Sequence, residues 1–312
     1  MFSEDWSTHI KIDRQLIKDQ LEEQFIEIDH KITLRFYTIK PSGTQLLVNG
    51  ICEVLHRSLA YFIYGSDEIE KDPVWAGANA GQRFGFKDPQ TDGKYGELLL
   101  FVLVESVLGC KMVAHKLSSL SNFNDQVKGG DGVFVGDYEI EGKSHPAFLI
   151  GESKVIGGLA AGLTDAFKSL ARFYNEDGGP KFLDQELIVA QQFISTTHHS
   201  IDELYNRLTP TKPEFHEQVL IHPVMIMYSS AYDKLELAAA SPADLSAAIR
   251  KRLQGNEKKY LEKVQAQYAK HPNVGKVYLD FFIIPCRSVD EFRDAMYQRI
   301  HHAPFQEVNH GR

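Results

Sequence analysis

An α/β fold is what the sequence predicts, and three observations carry that expectation. Apolar residues recur at helical intervals over Leu46 to Tyr64, Glu97 to Leu108 and Leu159 to Tyr174. Apolar runs of strand length stand between and after them, at Ile32 to Ile39, Gly132 to Val135, Ala147 to Ser153, Val219 to Tyr228 and Val277 to Pro285. The middle of the chain also places its elements in the order helix, three strands, helix. With 312 residues, 43% of them hydrophobic, the chain has the length for a core domain with a smaller annex. The expected division is an N-terminal α+β annex with its connecting loop over 1–95, then a domain over 96–312 that ends in helical and strand additions.

The first thirty residues are mixed and polar. Ile32, Leu34 and Phe36 alternate with Thr33, Arg35 and Tyr37, which predicts a strand closed by Pro41-Ser42-Gly43. A helix follows, with Leu47, Ile51, Val54, Leu55, Leu59, Phe62 and Ile63 on one face and Gly65-Ser66 at its end. Pro73, Gly77, Gly81, Gly85, Pro89 and Gly93 then punctuate the chain so often that a long surface connection is expected to about residue 95. The central block runs from the helix Glu97 to Leu108 through a strand at Lys111 to His115 to the strands beginning at Gly132 and Ala147, with a polar hairpin return over Asp137 to Ser144. Gly157-Gly158 opens the next helix. Another helix is expected after Gly178-Gly179-Pro180, then the strand from Val219, a charged helical region over Ala243 to Lys270 that Gly255 interrupts, the strand from Val277, and a last helix over Val289 to Ile300.

Composition excludes several function classes. A formal net charge of −8 argues against coating nucleic acid by bulk electrostatics, although a local basic patch remains compatible with cutting it. The most apolar run, Leu98 to Leu108, is too short for a membrane span and contains Glu105, so no membrane role is expected. Cys52, Cys110 and Cys286 are odd in number and lack ligand spacing, which predicts reduced structural thiols. The N-terminus has no basic head followed by an apolar core, and a cytoplasmic location is expected. No GxxxxGK[ST] or GxSxG motif is present, and His198-His199 and His301-His302 do not have zinc-ligand spacing.

The strongest chemical signal is Ile150-Gly151-Glu152-Ser153-Lys154, with Gly129-Gly130-Asp131-Gly132 at the head of the preceding strand. Two residues apart on a strand, Glu152 and Lys154 share a face, and a hairpin can deliver Asp131 beside them. Two carboxylates and an ammonium suit metal-dependent phosphodiester hydrolysis, in which carboxylates hold Mg²⁺ and the lysine orients water or offsets charge on phosphate. The plainer readings are a structural Glu-Lys pair at a sheet edge and a Gly-Gly-Asp-Gly turn. Glu97 stands near a helix start, where the dipole alone favours a carboxylate. Glu105 among valines reads as a paired structural group, and Lys116, Arg250 and Lys251 are candidate contacts to a nucleic-acid backbone, against the alternative of solvated surface charge.

These residues in their α-β-β-β-α setting resemble the restriction-endonuclease-like superfamily, whose pattern is Asp, a spacer, then Glu-x-Lys. The longer set Gly96-Glu97-Leu98-Leu99-Leu100, Gly130-Asp131-Gly132-Val133 and Gly151-Glu152-Ser153-Lys154 resembles more closely the nuclease subunits of the Hachiman anti-phage defence system. The resemblance covers roughly residues 96 to 174 and implies a mixed central sheet flanked by helices. It further implies that Asp131, Glu152 and Glu97 bind Mg²⁺ (or Mn²⁺), that Lys154 assists hydrolysis of DNA, and that a helicase subunit is the partner. Gly130 stands where the superfamily often has proline. Two other functions remain open: a catalytically silent docking subunit that restrains a helicase, and a nuclease of another restriction or immune system.

Overall fold

The computed structural model describes residues 2–114, 130–174 and 201–305. Lys116, His198-His199 and the helix expected after Pro180 lie outside them. In chain order the elements are α1 (Arg14–Gln20), β1 (Leu21–Asp29), β2 (Ile32–Ile39), α2 (Asn49–Lys71), α3 (Pro73–Phe84), α4 (Lys94–Leu103), β3 (Lys111–Ala114), β4 (Val133–Ile140), β5 (Lys143–Ile150), β6 (Glu152–Ile156) and α5 (Leu159–Ala171). They continue with α6 (Ile201–Leu208), α7 (Pro213–His216), β7 (Val219–Ser229), α8 (Asp233–Ala238), α9 (Pro242–Gln254), α10 (Glu257–Tyr268), β8 (Tyr278–Cys286) and α11 (Val289–His301).

The strands form one mixed sheet in the order β1-β2-β8-β7-β5-β4-β3, with β6 also paired to β7. β2, β8, β7 and β5/β6 run parallel to one another, whereas the pairs β1-β2, β5-β4 and β4-β3 are antiparallel. Strand alternation splits the core into two layers. Met225 and Met227 of β7 and Phe282 and Ile284 of β8 pack with α2, α4 and α11. Val224, Ile226, Phe281 and Ile283 face the other way, toward α5, α9 and α10. Strands covered on both faces read as near-continuous apolar runs, which is why β7 and β8 were legible in sequence.

One expectation is corrected. The stretch 65–95 is not an irregular connection: α2 continues to Lys71 through a kink at Gly65 (φ 72°), and α3 follows at once. Asp72 caps α3 and Pro73 occupies its first turn, where a missing N–H costs nothing. Gly81 is a packing residue, since a Cβ there would lie 3.0 Å from the Ile300 carbonyl oxygen. The N-terminal thirty residues, mixed and polar in sequence, contain α1 and the edge strand β1. A register shift between Glu23 and Phe25 breaks the alternation of β1, and its glutamates mark the charged surface typical of a sheet edge. Because β2 pairs with β8 in parallel, the segment before residue 95 shares the sheet and both core clusters with the rest.

The helix expected over 97–108 is α-helical to Leu103 and then a π turn over Val104–Leu108, ended by Gly109 at φ 71°. The π turn sets the fully buried Glu105 against Lys111 Nζ at 2.9 Å and the Met112 N–H at 3.0 Å, a structural pairing of the kind expected for it. The hairpin between β4 and β5 is also found, although most of the polar stretch from Asp137 is strand and the turn is confined to Glu141-Gly142. The three cysteines are free and buried, as expected. Among the described residues no helix is long and apolar enough to cross a membrane.

Candidate active site at the break between two strands

β5 and β6 are one line of chain along β7: Leu149↔Ile221 and Glu152↔Val224 keep the same register offset. The line is interrupted at Ile150-Gly151, where the head of β4 closes on it. Asp131 donates its N–H to the Gly151 carbonyl at 2.8 Å, and the Gly151 N–H donates to the Gly132 carbonyl at 2.9 Å, so two residues oppose one, a bulge that re-aims a side chain. Close approach demands glycine on both sides. A Cβ on Gly130 would lie 2.4 Å from Ile150 Cγ2, and one on Gly151 would lie 2.6 Å from Leu100 Cδ2. Gly130 thus admits the chain to a corner that any side chain would fill.

The bulge delivers Asp131 to β6. Its Oδ2 accepts the Ser153 N–H at 2.7 Å and the Ser153 hydroxyl at 2.8 Å. Glu152 and Lys154 point to the face opposite the Ser153 side chain, where Lys154 Nζ pairs with Glu152 Oε1 and the Asp131 charge acts on both. Glu152 is only 3% exposed, and the Lys154 side chain 24%. Burial first, then the negative charge of Asp131, push the Glu152 carboxyl up to about 7 against the pull of Lys154. Burial works against the Lys154 ammonium, but Glu152, Asp131 and Asp165 outweigh it and hold its pKa above the usual lysine value. The ammonium therefore stays charged at neutral pH.

α5 completes this face. Gly162 lets it down onto Ile156 and Ile226, to which a Cβ would come within 3.0 and 2.7 Å. One turn apart, Asp165 acts on Lys154 and the Ser169 hydroxyl favours the charged form of Glu152. Neither was singled out from sequence. The available signal was that both are polar and at i, i+4 spacing, beside the apolar face formed by Leu163, Phe167 and Leu170.

Asp131, Glu152 and Lys154 are thus brought together, whereas Arg250 and Lys251 lie elsewhere. Glu97 lies half-buried in the first turn of α4. Its neighbour Gly96 abuts Ser153 and Val155, so α4 covers the face opposite to Glu152 and Lys154. Among the described residues no group of three or more His, Cys, Asp or Glu side chains is placed to hold a metal ion. Arg250 is bound to Glu22 of β1 at 2.8 Å, on the far edge of the sheet, four strand spacings or about 19 Å from β6. Lys251, its neighbour on α9, is exposed.

Fold and site together define a mixed α/β protein with two carboxylates and a buried-stem lysine gathered at a strand break. The family model for HamA matches residues 14–300, and the chain belongs to the HamA family. Membership ties it to Hachiman anti-phage defence. No curated protein matches the chain.

Proposed function

We propose that this chain is a metal-dependent deoxyribonuclease, the effector of a Hachiman defence complex whose other subunit is a helicase, built on a restriction-endonuclease-like core formed by α4, β3, β4, β5/β6 and α5. The observation that carries the reading is that Asp131 and Lys154 both act on the buried Glu152 carboxylate. A site that forces two carboxylates together and raises the pKa of one leaves negative charge that a cation would offset. The donors are hard oxygens, and Mg²⁺ is commonly held by one or two carboxylates with water and substrate phosphate making up the rest, so Asp131 and Glu152 fit it. Glu97 enters only as a further acidic group from α4.

Bound there, Mg²⁺ would supply a Lewis acid for the phosphoryl oxygens and lower the pKa of a water. Ser153 fixes the Asp131 carboxylate through two hydrogen bonds. Lys154, held protonated, presents a positive charge to the phosphate as its negative charge grows, where a preorganised charge in a partly buried site acts most strongly. Asp165 and Ser169 orient the Lys154-Glu152 pair from α5. DNA is the substrate and a hydrolysed phosphodiester the product, with no covalent intermediate on the protein.

Plasmid nicking by the purified chain in Mg²⁺ and in chelator tests the activity, and co-purification of the adjacent gene product tests the helicase partner. A silent docking subunit would bind that partner yet leave supercoiled plasmid intact under both conditions. Exposed Val74 and Trp75 on α3 provide an apolar surface available to such a partner.

A further inference from the structure

The strand break that carries Glu152 has an unusual support in β7. Ile150 stands in register opposite His222, by the offset that Leu149↔Ile221 and Glu152↔Val224 share. Gly151 turns its N–H toward Gly132, so the adjacent Ile150 carbonyl is directed at β7, where the N–H of residue 223 would meet it in a regular parallel ladder. Residue 223 is proline and has no N–H. The place is taken by a side chain: His222 Nδ1 lies 2.8 Å from the Ile150 carbonyl oxygen and donates to it. The Tyr174 hydroxyl, just beyond α5, donates to the other ring nitrogen, Nε2. His222 is fully buried, and the Phe173 ring lies 5.4 Å from its own. Burial pulls its pKa down to about 4, so the ring is neutral and one tautomer serves both partners.

We propose that His222 is a positioning residue for the Asp131-Glu152-Lys154 site: its imidazole replaces the backbone donor missing at Pro223 and fixes the Ile150-Gly151 peptide from which Glu152 is presented, while Tyr174 holds the ring in the Nδ1–H form. The same corner receives the Asp131 N–H on the Gly151 carbonyl. Both carboxylates therefore hang on two consecutive peptide units, 150–151 and 151–152, and a shift of that corner moves them relative to each other. Any non-proline residue at 223 would have given Ile150 its partner. Instead, the imidazole couples the corner to the end of α5, the helix that carries Asp165 and Ser169.

The proposal rests on the nuclease reading of that site, and its test separates the two. Asparagine places an amide donor near the position of Nδ1, glutamine places it near Nε2, and leucine removes both. Plasmid cleavage and calorimetric Mn²⁺ affinity are measured for the full chain, His222→Asn, His222→Gln and His222→Leu, each with its melting temperature. The Gln and Leu variants should lose about 10- to 100-fold in kcat and in Mn²⁺ affinity, the range for groups that orient metal ligands, with KM for DNA unchanged. The Asn variant should remain near the parent. Equal behaviour of Asn and Gln, or losses that follow melting temperature alone, would overturn the assignment. If the Leu variant does not fold, the Asn/Gln pair decides. A parent that binds Mn²⁺ without cleaving would overturn the nuclease reading and leave positioning to be judged by the Mn²⁺ affinities: lower in Gln than in Asn supports it, equal refutes it. A parent that binds no Mn²⁺ would overturn both.

Discussion

Glu152→Gln should stabilise the protein in a pH-dependent way while abolishing its chemistry. The Glu152 carboxyl is moved from its ordinary value of 4.5 to about 7 by burial and by Asp131. Each pKa step is worth about 1.4 kcal/mol, so ionising this group in the folded protein costs about 3 kcal/mol more than in the unfolded chain. The sign follows from proton counts. Between pH 4.5 and 7 the folded state keeps a proton that the unfolded state has released, so stability falls as pH rises across that window and levels off above it. Glutamine has no proton to lose, and Lys154 remains charged throughout, so its altered pairing adds an offset that does not vary with pH. Urea denaturation of parent and variant in chelator, from pH 4 to 9, should give a stability difference that shifts in favour of the variant by up to about 3 kcal/mol, mostly between pH 4.5 and 7. A difference that is flat across that range would refute the claim that Glu152 is a strained carboxylate.

Three further outcomes follow from the same geometry. Mg²⁺ should raise the melting temperature more at pH 8 than at pH 5, because a cation replaces the proton on the crowded carboxylates; scanning calorimetry at the two values checks it, and an equal shift would count against metal at this site. Gly130→Ala should cost about 1–3 kcal/mol by overpacking against Ile150 and lower cleavage by displacing Asp131, measured by denaturation and plasmid nicking together. Arg35→Met should cost about 3–5 kcal/mol, because it strips the bidentate partner, at 2.8 and 3.0 Å, from the fully buried Asp280 carboxylate. A change in melting temperature no larger than that of a surface substitution would contradict that pairing.

The parts of the site legible in sequence are those set by local periodicity. The two-residue strand spacing places Glu152 and Lys154 on one face, and the glycine-flanked Asp131 could be expected to return beside them through a hairpin. What was not legible depends on how layers stack. Which face of the sheet α4 covers is set by layer stacking, and the Gly96 contact with Ser153 and Val155 shows that it is the one opposite Glu152 and Lys154. Asp165 and Ser169 acquire a role only once α5 lies over β6. The fold shows the same division: β7 and β8 announce themselves as apolar runs, whereas β1 is hidden by its register shift and charged edge. α3 is hidden by glycines that serve packing and by a proline that starts a helix rather than ending one. Pro223 is a further local signal, since a proline in a central strand announces a missing donor that some side chain must replace.

The central claim is tested most directly by the initial rate of supercoiled-plasmid cleavage in Mg²⁺ by the purified chain and by its Lys154→Ala variant, with circular dichroism confirming that both are folded. The parent should cut in Mg²⁺ and stop in chelator, and the folded variant should not cut. Cleavage by Lys154→Ala at the parental rate would contradict the role of this lysine and, with it, the site.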